Sequence, residues 1–218
     1  MQNRWGFRSI CASNENKVLF DFFRTGTYDK NREFVLTSSP SMDILISSNL
    51  ERLIYTIAGQ DGQKNAELMD ALKSSGAYEI TKEMKAKLDD FVGGYATEEQ
   101  TAQAIHDTYK RTGYVMDTHT AVASCVCAQY REESGDETKC LIASTASPYK
   151  FVGSVMRAID AEYAGRDEFE LVDELEKLSQ VAVPNAVKEI RDAKILHTRE
   201  CDADKMKETV KEILEIEV

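Results

Sequence analysis

The sequence predicts an α/β fold built on a mostly parallel sheet. Short apolar runs at residues 7–12, 34–36 and 140–144 alternate with stretches whose apolar side chains recur at helical spacing. A polar loop follows each run, at residues 13–16, 38–41 and 145–147. In parallel sheets ligands sit outside the carboxyl ends of the strands, so these three loops are the first places to look for a site.

FRSICA at 7–12 reads as the first strand, and Ser13-Asn14-Glu15-Asn16 as a cluster of turn and cap formers. Val18, Leu19, Phe22 and Phe23 then mark a helix, which Gly26 and residues 29–31 end. Phe34-Val35-Leu36 is the second expected strand, and Ser38-Ser39-Pro40-Ser41 its loop. The spacing of Ile44, Leu45, Leu50, Leu53, Ile54 and Ile57 predicts one long helix over 42–58, terminated by Gly59. A further helix is expected over 64–73 and a strand at Tyr78-Glu79-Ile80. Gly93-Gly94 reads as a turn signal. Thr97 and Gln100 have the spacing of a capping box, which opens a helix running to about residue 111.

Asp117-Thr118-His119-Thr120 starts an Ala-, Val- and Cys-rich helix ending at Ser134-Gly135. That helix is apolar nearly all round near its start, which predicts burial. Its amino end, where N–H groups and the helix dipole favour anions, is a fourth candidate site. Cys140-Leu141-Ile142-Ala143-Ser144 is the clearest buried-strand pattern. Ser147-Pro148 pairs a cap residue with proline at the first helical position. Beyond Gly165 the chain turns to charged helices, the last carrying Met206, Val210, Ile213 and Leu214 as one stripe. The expected division is an α/β domain at 1–165 and a helical extension at 166–218.

Apolar residues make up 42% of the 218, enough for a core, and 30% are charged. Lys and Arg number 27 against 38 Asp and Glu, a net charge of −11. An acidic chain repels phosphate backbones and anionic bilayers, so neither nucleic acid nor a membrane is an expected partner. The five cysteines are odd in number and form no C-x-x-C pair; free thiols in a reducing cytoplasm are the expectation. Three histidines form no metal-ligand cluster. No apolar run has the length of a membrane helix, and the first six residues lack a signal peptide's apolar core.

Four segments, in order, carry a family resemblance: ICASNENKVLFDFF at 10–23, SPSMDILISSNLERL at 39–53, DTHTAVA at 117–123 and STASPYKF at 144–151. Together they resemble threonine synthase, over roughly residues 8 to 218. Two positions depart from the family's pattern. Thr118 stands where proline is expected in D-P-H-T, and Ser147 where histidine is common in T-A-H-P. The resemblance implies part of a tryptophan-synthase-β-like, fold-type-II pyridoxal-phosphate (PLP) domain, a three-layer α/β sheet, with an added carboxyl-terminal helical segment. Residues 1–165 would then be the carboxyl-terminal part of the PLP-binding domain. It also implies the conversion of O-phosphohomoserine and water to threonine and phosphate.

The family's Schiff-base lysine lies in a phenylalanine-lysine-aspartate run that these residues lack, and its phosphate-binding Gly-rich loop precedes the matched segments. A fragment, inactive alone, is therefore expected. By resemblance Thr145 meets the pyridine nitrogen of PLP through its hydroxyl; as a plain residue it would cap or turn the junction before the next helix. Asn14, Asn16, Ser39, Ser41, His119 and Lys150 are further candidates for lining the site, each with a structural alternative as turn former, helix cap or exposed charge. Two other readings stay open: a non-catalytic chain that self-associates or complements a partner through the surface left by a missing half, or another PLP-dependent β- or γ-replacement enzyme.

Overall fold

The computed structural model describes residues 7–216, so the expectation for residues 1–6 lies outside the described residues. Strand β1 (Ser9–Ser13) turns into α1 (Val18–Thr25), where Val18 and Phe22 face inward. Gly26 closes α1 at φ 86°, its N–H donating to Phe22 O at 2.8 Å; only a residue without Cβ takes this conformation without strain. β2 (Thr27–Asp29) follows, then an irregular stretch holding a 3-10 turn at Pro40–Met42. Next come α2 (Leu50–Ile57), α3 (Gly62–Ser74), β3 (Ala77–Glu79), α4 (Lys82–Ala86) and β4 (Phe91–Tyr95).

The expected capping box forms in full at the head of α5 (Glu98–Thr112). Asp117 caps α6 (Thr118–Ser134), and Gly135 ends it in the left-handed conformation. A 3-10 turn at Pro148–Phe151 leads into α7 (Val152–Ile159), on which α8 (Glu168–Ser179) packs. These elements form one compact unit that ends at Val183. A second unit, from Pro184 onward, holds α9 (Asn185–Arg191) and α10 (Met206–Ile213).

β1 and β4 pair in parallel, from Ser9 opposite Phe91 to Ser13 opposite Tyr95. β2 and β3 form a separate antiparallel pair. A Cβ on Gly93 would lie 3.0 Å from Phe23 Cβ and 3.1 Å from the Phe20 backbone of α1, while one on Gly94 would collide with Val126 of α6. Neighbouring strand residues point to opposite faces. α1 and α6 therefore cover opposite faces of the sheet, which gives the expected three layers. The turn expected at Gly93-Gly94 is corrected by the same contacts: both residues are strand, and they are glycine because two helices approach the backbone closely. The main core lies around Phe22, Tyr28, Ile54, Leu68 and Tyr78, with the Tyr28 and Tyr78 rings stacked at 5.3 Å.

Three further expectations differ from the structure. The helix expected over 42–58 begins only at Leu50. The Tyr28 hydroxyl donates to Leu45 O at 3.0 Å and accepts from Ser47 N–H at 2.8 Å, which ties that stretch to the core instead. Residues 34–36 and 140–144 are not strands. A strand needs a neighbouring ladder, and among the described residues the sheet holds only β1 and β4. At 34–36 the Asn16 side chain stands in for a neighbour: Val35 N–H donates to its Oδ1 at 3.0 Å, and its amide donates to Val35 O at 2.9 Å. The segment ending at Ser144 lies along α6 instead. It leaves Leu141 97% exposed.

Candidate functional site

The turn after β1 is organised by one carboxylate. Asp43 Oδ1 accepts from the side-chain amides of Asn14 at 2.7 Å and Asn16 at 3.1 Å, and from the Thr37 hydroxyl at 2.7 Å. Its Oδ2 accepts from Thr37 N–H at 3.0 Å. The Asn14 amide also reaches Thr37 Oγ1 and Ser39 Oγ, and Asn14, Asn16 and Ser39 are all buried. Glu98 at the head of α5 accepts from Ser38 N–H at 2.9 Å, and its own N–H donates to Glu15 at 3.0 Å. The loops after β1 and at 37–43 are thus one hydrogen-bonded body, set against the amino end of α5. Buried polar groups so fully paired rigidify the loops that carry them.

The amino end of α6 forms the next wall. Asp117 Oδ1 accepts from the N–H groups of His119 at 2.9 Å and Thr120 at 3.2 Å, and its Oδ2 accepts from the Thr120 hydroxyl. Ser41 N–H donates to His119 Nε2 at 3.1 Å. That nitrogen therefore carries no proton. The ring proton sits on Nδ1, which lies 3.4 Å from Asp117 Oδ1. Burial holds the imidazole below its usual range, with Lys150 pressing the same way and Asp117 and Asp43 opposing. The His119 and Phe151 rings lie 4.8 Å apart, and Lys150 Nζ stands over the Phe151 ring.

A pH dependence follows. With the folded pKa depressed, the unfolded chain binds more protons, so this contribution is present above the unfolded value of about 6.5 and is lost as pH falls through the folded one. His119→Gln keeps an acceptor for Ser41 but does not titrate. Urea midpoints at pH 7 and pH 5 should fall further for the native chain than for this variant. Equal falls in both would contradict the assignment.

Thr145 follows Ser144 in the loop before Pro148. It is exposed, and its hydroxyl makes no hydrogen bond among the described residues. Its neighbour Ser144 hydrogen-bonds the Thr120 hydroxyl at 2.9 Å, which ties the loop to the head of α6. The cap of the following turn is made by Ser147, whose hydroxyl accepts from Tyr149 N–H at 3.3 Å. Of the sequence candidates, then, Asn14, Asn16 and Ser39 meet in one network, and Ser41 and His119 bond directly. Lys150 reaches the group through Phe151 and is itself exposed. Among the described residues no hydrogen bond joins Thr145 to the other candidates. Among the described residues no cluster could hold a metal ion, and no helix is long and apolar enough to cross a membrane.

Residues 120–201 match the family model for threonine synthase, C-terminal. Threonine synthase-like 1 of Pongo abelii is 43% identical over 152 residues, covering 69% of this chain and 20% of the relative. The crystal structure of PLP-bound threonine synthase from Brucella melitensis matches with TM-score 0.65 at 33% identity, over 79% of this chain and 36% of that one. Threonine synthase from yeast matches with TM-score 0.77 at 26% identity, over 95% and 42%. The chain is homologous to the carboxyl-terminal portion of threonine synthases.

Seen as a threonine synthase portion, the chain has residues around its candidate site that sequence reasoning missed. Asp43, Thr37, Glu15 and Glu98 hold the loops together. Asp43 reads in sequence as an ordinary first-turn acid of a long helix. Glu98 had a signal, since an acid in the first turn of a helix is favoured by the helix dipole.

Proposed function

We propose that this chain forms the carboxyl-terminal part of a PLP-dependent threonine synthase, which converts O-phosphohomoserine and water to threonine and phosphate. The observation that carries the proposal is Thr145. Its hydroxyl is exposed and unpartnered among the described residues, on a loop tied to the head of a buried helix. A heterocyclic nitrogen needs such a partner, so the residues present fit the cofactor. When bound, PLP supplies an electron sink for the carbanions of the reaction. A neutral hydroxyl, unlike a carboxylate, leaves the ring nitrogen short of full protonation, which favours elimination and replacement over transamination.

The other residues have supporting roles. The Asp43-centred network holds the Asn14 and Ser39 loops, and the neutral His119 holds the 3-10 turn at Pro40–Met42 through Ser41. Lys150 contributes positive charge near the head of α6, where a phosphate would be favoured. The lysine that bears the cofactor and the loop that binds its phosphate come from residues outside these 218. Free thiols fit a reducing cytoplasm.

The test is phosphate release from O-phosphohomoserine. The chain with PLP alone should release none. Release should appear on adding an amino-terminal threonine synthase half that carries the F-K-D lysine. Turnover by the chain alone would overturn the division of roles.

A second reading has its own observation. Leu36 is 83% and Leu141 97% exposed, and both sit in extended segments with no ladder partner among the described residues. Such surface favours association with another chain. Light scattering that finds a monomer at high concentration would count against it.

A further inference from the structure

The segment 138–144 runs back along α6 and is held at both ends. Arg131 Nη2 donates to Thr138 O at 2.8 Å, and the Thr120 and Ser144 hydroxyls hydrogen-bond at 2.9 Å. Cys127 lies four residues before Arg131 on α6, and Cys140 two residues after Thr138. A helix rises about 1.5 Å per residue and an extended chain about 3.3 Å, so both sulfurs sit about 6–7 Å along from the first tie. The two thiols therefore sit level with each other, close enough for Cys140 to act on the Cys127 thiol. Cys127 is buried against the helix and Cys140 is exposed. The other cysteines are placed elsewhere. Cys125 packs toward Ala96 and Val122 and accepts from the Gln129 amide, Cys11 is on β1, and Cys201 lies in the second unit.

We infer that Cys127 and Cys140 are a paired dithiol that oxidises to an intramolecular disulfide, stapling the segment before Thr145 onto α6. The oxidant is a small-molecule disulfide of the glutathione class. The Cys140 thiolate attacks one sulfur of it, which breaks that S–S bond and releases one thiol. The Cys127 thiolate then displaces the second thiol from Cys140. The protein gives up two electrons and two protons, and the oxidant becomes two thiols. Exposure makes Cys140 the entry point, and its place level with Cys140 makes Cys127 the resolving thiol. Burial first, and the neighbouring Cys140 second, push the Cys127 thiol up to about 11, so the second step quickens as pH rises. The staple fixes the stretch that carries Leu141 and Ile142, and so withholds it from pairing with another strand.

The test is to incubate the chain with oxidised glutathione, block free thiols, and read intact and tryptic masses. The expected product is a monomer with two fewer blocked thiols and one disulfide, formed with loss of two hydrogens, about 2 Da. Its tryptic peptide 112–131 should be joined to peptide 140–150, and Cys125→Ser should leave that link in place. Cys127→Ser, checked for native circular dichroism, should stop at glutathione on Cys140. A native chain that also stops at glutathione on Cys140 would overturn the inference. So would a link through Cys125, or a disulfide between two copies.

Discussion

Phe22→Ala is expected to remove about 3–5 kcal/mol of unfolding free energy, out of the roughly 5–15 kcal/mol that a folded domain usually has. The side chain is fully buried at the centre of the main core. Its ring lies 5.5 Å from that of Phe23, 6.1 Å from Tyr28 and 6.2 Å from Tyr78, the last edge-on. Truncation leaves a cavity that these rings cannot fill, because the Tyr28 hydroxyl is anchored to Leu45 and Ser47. The loss therefore combines apolar transfer with unrelieved cavity. Urea unfolding followed by circular dichroism measures it. Leu141→Ala is the control: at 97% exposure it should stay within about 0.5 kcal/mol of the native chain. If the two variants unfold alike, the core lies elsewhere.

Asp43→Ala is the second large effect. It removes the acceptor shared by Asn14, Asn16 and Thr37. The amides of the buried Asn14 and Asn16 then lose their charged partner. Each donor left unsatisfied costs about 1–3 kcal/mol. Alternative acceptors at Ser39 and Val35 limit the total to roughly 3 kcal/mol. Asp43→Asn should fall between the two, since one oxygen still accepts while the new amide faces Thr37 N–H or its neighbours. Urea midpoints rank the three chains, and hydrogen exchange localises the loss. The Val35 and Thr37 amides should exchange faster in the Ala variant, with α1 and α3 amides little changed. Unaltered protection at Val35 and Thr37 would show that Asp43 does not organise these loops.

Much of the fold is local and was open to reading. α1 announces itself by Val18 and Phe22 at helical spacing, and the heads of α5 and α6 by Thr97 with Gln100 and by Asp117. Those signals involve residues within one or two turns of each other. β4 was hidden because Gly93 and Gly94 answer to helices some 70 residues before and 30 after in sequence, which no local pattern records. The 43–49 stretch has a helical pattern, yet a hydroxyl at position 28 competes for its backbone. Residues 34–36 and 140–144 have strand composition, but a strand also needs a neighbour, and the described sheet offers none.

The site divides in the same way. Loops after apolar runs pointed to Asn14, Asn16, Ser39 and the head of α6. Asp43, which holds the Asn14, Asn16 and Thr37 side chains together, acts across 29 residues to Asn14 and looks ordinary in its own surroundings.

The most direct measurement is turnover by the chain reconstituted with an amino-terminal threonine synthase half, comparing Thr145 with Thr145→Val. The hydroxyl is exposed and otherwise unpartnered among the described residues, so the variant should fold as the native chain does. Loss of one functional hydrogen bond should lower kcat by roughly tenfold, about 1.4 kcal/mol, and shift the spectrum of the bound cofactor. An unchanged kcat and an unchanged spectrum would contradict the placement of Thr145 against the cofactor ring.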